Sequence, residues 1–328
     1  MRTMFFKNAP KIISVSSVGG PKESQGAIGK FIETKLSDDM FNEKSFEKAE
    51  TKMLYTAIKN SIKNAKKNEK DIDVILAGDL LDQIISATFA TRSFNSGYLG
   101  LYNACATFTE ALSIGASFVD SSHFTNVVCA TSSHFSSAER QYRYPLELGS
   151  TRPPQAQWTV TGAGSVVISN VGKGPKITSS TIGKIVDFGV TDANNMGAAM
   201  APAGADTLIT HFRETNTTPD DYDLIVSGDL GTLGTRILKD LTFEKGYDIK
   251  KQHVDCGELV YNLNEKEYQG GSGAGCISLV FCSYLYERLL NKKLNKILLM
   301  ATGALLSSLS SQQGESIPGV AHLVSIES

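Results

Sequence analysis

The chain has 328 residues, of which 41% are apolar and 20% charged, and its formal net charge is −2. That length suits two ordinary domains or one fused pair, and the composition is that of a soluble globular protein. No basic surplus points to nucleic acid, no acidic tail points to a disordered arm, and the five cysteines (105, 129, 256, 276, 282) form no CxxC pair, which argues against a disulfide framework or zinc knuckle and for a reducing compartment.

The N-terminal run MRTMFFKNAP is interrupted by Lys7 and leads into a strand over Ile12–Val18, so it reads as no signal peptide. Residues 44–67 place Met53, Leu54, Ala57, Ile58 and Ile62 at helical spacing with lysines opposite. DVILAGDL (73–80) is a strand ending in Gly-Asp-Leu. NACATFTEALSIGASFVD (103–120) reads as a helix rich in small residues, and FTNVVCATSS (124–133) as the strand after it. Residues 135–158 hold three prolines and the arginines 140, 143 and 152 with little periodicity, and read as an inserted lid or wall. TGAGSVVISN (161–170) closes the unit, and VGKGPK supplies a crossing near Gly172–Pro175.

The same order then returns. A helix over 204–216 precedes the strand DLIVSGDL (223–230). GGSGAGCISLVFCSYLYERLL (270–290) is a helix with a glycine-rich start, NKILLMATGA (295–304) a strand, and PGVAHLVSIE (318–327) the closing strand. The longest apolar helix, near 276–290, carries Glu287 and Arg288 and falls short of the ~20 apolar residues of a membrane span, so any membrane role is expected to be peripheral. Three matched pairs in one order imply two similar α/β halves, 1–172 with an insertion at 135–158, and 173–328. Near-continuous apolar strands such as VILA and NVVCA fit sheets buried on both faces. The two small-residue helices are expected to pack back to back between them. Asp79 and Asp229 end the two matching strands and are expected to cap the helices that follow rather than bind metal.

Cys105 opens one central helix, where the helix dipole favours a thiolate. With the glycine-rich QGGSGAGC, the duplicated halves resemble the thiolase superfamily. ATSSHFSSAERQYRYPLE, RPPQAQWTVTGAG, VSGDLG, the DCG at 255–257 and QGGSGAGC resemble one branch, the stage V sporulation protein AD family of spore-forming bacteria. The resemblance spans nearly the whole chain. It implies an α/β thiolase-like fold of two duplicated halves with central buried helices in a five-layer αβαβα arrangement. It also implies binding of dipicolinic acid (pyridine-2,6-dicarboxylate) during its uptake into the developing spore. The other SpoVA membrane proteins are the implied partners. The implied place is the forespore or spore, peripheral at the inner membrane, with a role extending to spore germination. A homodimer through sheet edges of the first half also follows from the resemblance. No cofactor is expected, and the ligand is dipicolinate alone or as its calcium chelate.

The resemblance places the nucleophile position of condensing enzymes on Cys105, their histidine on Gly228 and their asparagine on Gly271. Neither glycine can move a proton, so Cys105 is expected to be vestigial and the chain to bind rather than catalyse. The two glycines should enlarge the pocket and expose helix N-terminal amides suited to an anion. Candidate ligand residues are then Cys105, Thr107, Ser132, Ser133, His134, Arg140, Arg143, Arg152, Trp158, Asp229, Gly270, Gly271 and Ser272. Arginine offers bidentate pairing to a carboxylate, and Trp158 a flat wall. No metal site is expected. Two rivals stand beside this reading: an acyl-CoA-dependent acyltransferase, condensing enzyme or thioesterase using Cys105 with His134, and a purely structural subunit of the channel assembly. The bland alternatives are core packing for Cys105 and Trp158 and solvation for the arginines.

Overall fold

A computed structural model describes every residue except 143–145, 150, 151 and 264–268, and the backbone alone of 147. In the first half β1 (Thr3–Phe5) and β2 (Lys11–Gly19) are followed by α1 (Phe46–Asn64), β3 (Val74–Gly78), α2 (Ile85–Thr91), β4 (Gly97–Gly100), α3 (Thr107–Asp120), β5 (Asn126–Ser133), α4 (Phe135–Tyr142), β6 (Trp158–Thr159) and β7 (Gly162–Ser169). The second half runs β8 (Lys176–Thr181), α5 (Met196–Thr215), β9 (Leu224–Ser227), α6 (Gly231–Glu244), β10 (His253–Asp255), α7 (Cys256–Val260) and β11 (Gly271–Ser272). It ends with a long helix α8, then β12 (Lys296–Ala304) and β13 (Gly319–Glu327). Helix α8 is built of Ala274–Val280, a π-helical turn Phe281–Leu285, and Tyr286–Leu290.

The strand order is β10-β9-β12-β13-β8-β2-β7-β5-β3-β4, and β8 meets β2 only through the pair Lys176 and Lys11. Two sheets of matching order therefore touch at one edge. Helices α3 and α8 lie between them, α1 and α2 cover the outside of the first sheet, and α5 and α6 cover the second. This is the expected five-layer arrangement. The turn between β7 and β8 contains the sequence-read boundary at 172.

Alternation along the strands explains the layers. In β5, Val127 and Cys129 face the central core while Val128 and Ala130 face the outer one. In β12, Ile297, Leu299 and Ala301 point centrally, and Leu298 and Met300 outward. A strand with an apolar core on each side has no polar face to show, so its sequence loses the alternation of a half-exposed strand. Two segments depart from the sequence reading. Helix α5 begins at Met196, eight residues before the expected start, with Pro202 inside it. The aperiodic insertion opens with a real helix, α4, whose buried face is only Ser137, Ala138 and Glu139, too short and too polar to register as a periodic apolar stripe.

Candidate functional site

Cys105 stands just ahead of α3, between Ala104, whose φ is +49°, and the N-cap Ala106. Thr107 holds this turn. Its hydroxyl donates to Ala104 O at 2.7 Å and accepts from Asn103 N at 2.9 Å. Asn103 is braced in turn by His322, whose Nε2 lies 3.2 Å from the Asn103 amide nitrogen and whose Nδ1 accepts from Gly183 N. His322 was not a sequence candidate, since its β13 position carries no motif.

A cavity of about 40 Å³ lies over Cys105, well below the ~300–1,000 Å³ of a preformed small-molecule site, so a ring-sized ligand fits only when lining side chains move. Its apolar wall is Leu80, Ala104, Ala138, Ala304 and Leu306. Its polar lining is Tyr102, Glu139, Tyr142, Thr159 and Ser272. Cys105 and Ser272 are thus brought together as expected. The insertion supplies one wall through Ala138, Glu139 and Tyr142. Tyr102 and Tyr142 share a hydrogen bond at 2.9 Å, and Tyr142 also donates to Leu80 O. The two tyrosines and Glu139 escaped the sequence reading because nothing in their spacing marks them.

The other candidates are placed differently. Ser132 donates to the buried Glu50, and Ser133 donates to Val160 O while accepting from Gly275 N. His134 is buried, with Nδ1 accepting from Ser136 N and Nε2 lying 2.8 Å from Asp39 O. Both ring nitrogens are committed to backbone, and burial lowers its pKa, so His134 is a structural neutral imidazole outside the cavity lining. That removes the pairing of Cys105 with His134. Arg140 pairs with Glu47 at the surface. Arg143 lies outside the described residues.

Trp158 is not a cavity wall. Thr159 points into the cavity, so its strand neighbour Trp158 points to the other side, as strand geometry requires. There it stacks on Phe135 at 4.0 Å, with Lys22 Nζ 4.3 Å from the ring. Arg152 lies 5.3 Å from the same ring and reaches Glu139 Oε1 at 2.8 Å.

The glycines did not vacate space. A Cβ on Gly228 would stand 3.0 Å from Ile277 Cβ, and one on Gly271 would stand 2.7 Å from Val260 Cγ1 and 2.9 Å from Val160 Cγ2. Apolar side chains fill both positions, because a close-packed interior does not keep a void where a side chain is missing. Gly270 and Gly271 are spent on backbone pairing with Trp158, through Gly270 O and the β6–β11 ribbon. The start of α8 is not open to a ligand either. It faces the carboxylate of Asp229 through the Gly273 amide and the Cys276 thiol, though neither closes a hydrogen bond of normal geometry. Burial, and the nearby charge of Asp255, push the Asp229 pKa well up. Asp229 caps nothing. Asp255 takes that role, accepting from Leu230 N, Gly231 N and Gly257 N.

The layered sheets, the buried central helices and a cysteine at the head of one of them define a thiolase-fold protein. Several solved structures share that fold. The 3-oxoacyl-[acyl-carrier-protein] synthase III of Aquifex aeolicus VF5 aligns with a TM-score of 0.56 over 97% of this chain and 100% of that one, at 15% identity. AbyA1, a tetronic acid condensing enzyme, gives 0.62 over 97% and 100% at 14% identity. Cerulenin-bound OleA of Xanthomonas campestris gives 0.62 over 99% and 98% at 12%. Sequence then names the branch. Residues 1–327 match the family Stage V sporulation protein AD. The chain is 41% identical over 326 residues to the stage V sporulation protein AD of Bacillus subtilis (strain 168), covering 99% of this chain and 96% of that protein. The chain belongs to the stage V sporulation protein AD family.

Proposed function

We propose that this protein is a non-catalytic member of the thiolase fold that holds dipicolinic acid in the cavity over Cys105. It supports uptake of that acid into the developing spore together with the SpoVA membrane proteins. The observation that carries the reading is the packing at Gly228 and Gly271. Where condensing enzymes keep proton-moving side chains, Ile277, Val160 and Val260 form an apolar wall. A wall of that kind cannot exchange a proton with a bound molecule. The cavity offers the Thr159 and Ser272 hydroxyls against apolar surface, which suits a flat ring bearing hydrogen-bond acceptors that enters as lining side chains move aside. Among the described residues no helix is long and apolar enough to cross a membrane, so its part at the spore inner membrane is that of a peripheral partner.

Calorimetric titration of the purified protein with dipicolinate tests this. Saturable binding of one ligand per chain, weakened by Ser272→Ala and by Cys105→Ala, is the expected result. Absence of saturable binding, or binding indifferent to both substitutions, removes the reading. Acylation of Cys105 by a small acyl-CoA, seen as a mass increase on that residue, would turn it toward acyl transfer.

A further inference from the structure

The cavity described above carries a charge pair whose parts are unequally placed. Glu139, on α4, lines the cavity and is buried. Arg152 does not line it, and stands behind Glu139 with Nη1 2.8 Å from Oε1. The contact is ionic rather than a formed hydrogen bond. Nε, Nη1 and Nη2 of Arg152 are all buried, and none makes a hydrogen bond among the described residues. The guanidinium also lies 5.5 Å from the Phe135 ring and 5.3 Å from Trp158. Those two rings stack on each other at an interplanar angle of 11°, and Trp158 is pinned by backbone pairing to β11.

A buried guanidinium with donors left over is costly unless an acceptor arrives. Its aromatic seat fixes its position, whereas the Glu139 carboxylate moves by rotation of its own side chain. As the pair stands, the carboxylate facing the cavity is the protein's own, and it repels an incoming anion. We propose that Glu139 is a built-in competitor: a carboxylate-bearing ligand enters by displacing Glu139 from Arg152, and this exchange selects for ligand charge. The inference rests on the reading of the cavity as a dicarboxylate site. It adds that the specificity comes from a displaced internal anion, not from a standing cationic pocket.

The test compares Glu139→Gln with the unaltered protein against three probes of one shape: dipicolinate, the monoanion picolinate, and the uncharged 2,6-pyridinedimethanol. Glutamine keeps the size and removes the competing charge. Dipicolinate should bind about tenfold more tightly to E139Q, picolinate should gain less, and the diol should not change, as expected for removal of one close charge. A merely structural role for Glu139 would shift all three probes alike. Glu139→Asp, which draws the carboxylate back from Arg152, should give a smaller gain in the same order and serves if E139Q folds poorly. If the unaltered protein binds dipicolinate and neither variant binds it more tightly than the diol trend predicts, the exchange is wrong while the site stands. Weaker dipicolinate binding by E139Q would mean that Glu139 holds a cation carried by the ligand, and would also overturn the exchange. If none of the proteins binds any probe, the exchange falls with the site reading itself.

Discussion

Asp79 and Asp229 end the two copies of the Gly-Asp-Leu strand, and the fold uses them in opposite ways. Asp79 accepts hydrogen bonds from Leu81 N and Ala87 N, each at 2.7 Å, tying the strand end to the first turn of α2. Asp229 has a left-handed backbone at φ +72° and is fully buried, and neither carboxylate oxygen has a hydrogen-bond partner among the described residues. In the second half the capping task passes to Asp255. The repeated sequence thus places an aspartate at both strand ends, while only Asp79 holds backbone amides there.

The pair should respond oppositely to substitution. Asp79→Ala orphans two buried amides and should cost about 2–4 kcal/mol. Asp229→Asn removes a buried acid whose pKa is raised well above the usual range by burial and by Asp255, and should leave stability at pH 8 unchanged or raise it by about 1 kcal/mol. Denaturant midpoints for the two variants decide the matter. Equal losses would show that Asp229 is anchored by something this structure does not contain.

Stability should fall as pH rises from about 6.5 to 8. Burial pushes Glu23 up to about 7 and Asp79 up to about 6, and raises Glu50 and Asp229 as well. A carboxyl whose folded-state pKa lies above its unfolded value binds its proton more tightly when folded. Its contribution is complete below the unfolded pKa near 4 and is lost as pH passes the folded value. The buried histidines act the other way but finish earlier. His211 and His322 are lowered by burial to about 4 and His253 to about 3, so their opposing effect centres on pH 6.5 and below, the ordinary histidine value, and fades above it while the raised carboxyls go on losing theirs. Thermal midpoints at pH 6.5, 7.2 and 8.0 should therefore decline. Glu23→Gln should flatten the decline, because Glu23 is held buried by Thr161 N and the Tyr261 hydroxyl in this range. A rising midpoint would contradict the assignment.

The layers were legible in the sequence because strands with a core on both sides, such as β5 and β12, are continuous apolar runs, and because the halves repeat their order. Cys105 and Ser272 were legible as site members because each sits at the start of a central helix. What escaped was set by tertiary contact. Glu139 and Tyr142 reach the cavity only because α4 folds back over it. Trp158 misses the cavity because β6 turns Thr159 inward instead. The expectation of a widened pocket at Gly228 and Gly271 failed for the same reason. A glycine in a sequence does not reveal that Ile277, Val160 and Val260 stand in the space beside it.

Restoring the proton-moving side chain should therefore damage packing before it restores chemistry. Gly228→His drives a ring into Ile277 and should cost about 1–3 kcal/mol. Gly228→His with Ile277→Ala should recover most of that loss, because the double substitution exchanges one filled volume for another. Neither variant should acylate Cys105 above the unaltered protein, measured by intact mass after incubation with acetyl-CoA. Acylation confined to the double variant would show that the old catalytic geometry survives under the apolar wall.

Trp158 gives a direct optical view of the Arg152 exchange, since it is the single tryptophan of the chain. Its indole has Phe135 stacked on it at 4.0 Å, Lys22 Nζ at 4.3 Å and the Arg152 guanidinium at 5.3 Å. Its emission is therefore sensitive to the charge that Arg152 faces. When a ligand carboxylate replaces Glu139, the field at the ring changes although no ligand atom touches it. Dipicolinate should shift Trp158 emission in the unaltered protein with the same midpoint as the calorimetric titration. In Glu139→Gln the shift should grow, because a ligand carboxylate then arrives beside Arg152 where none stood, whereas in the unaltered protein it replaces one. An equal shift in both proteins would mean that the indole senses the ligand by direct contact, which would place the ligand on the Trp158 side of the β6–β11 ribbon rather than over Cys105.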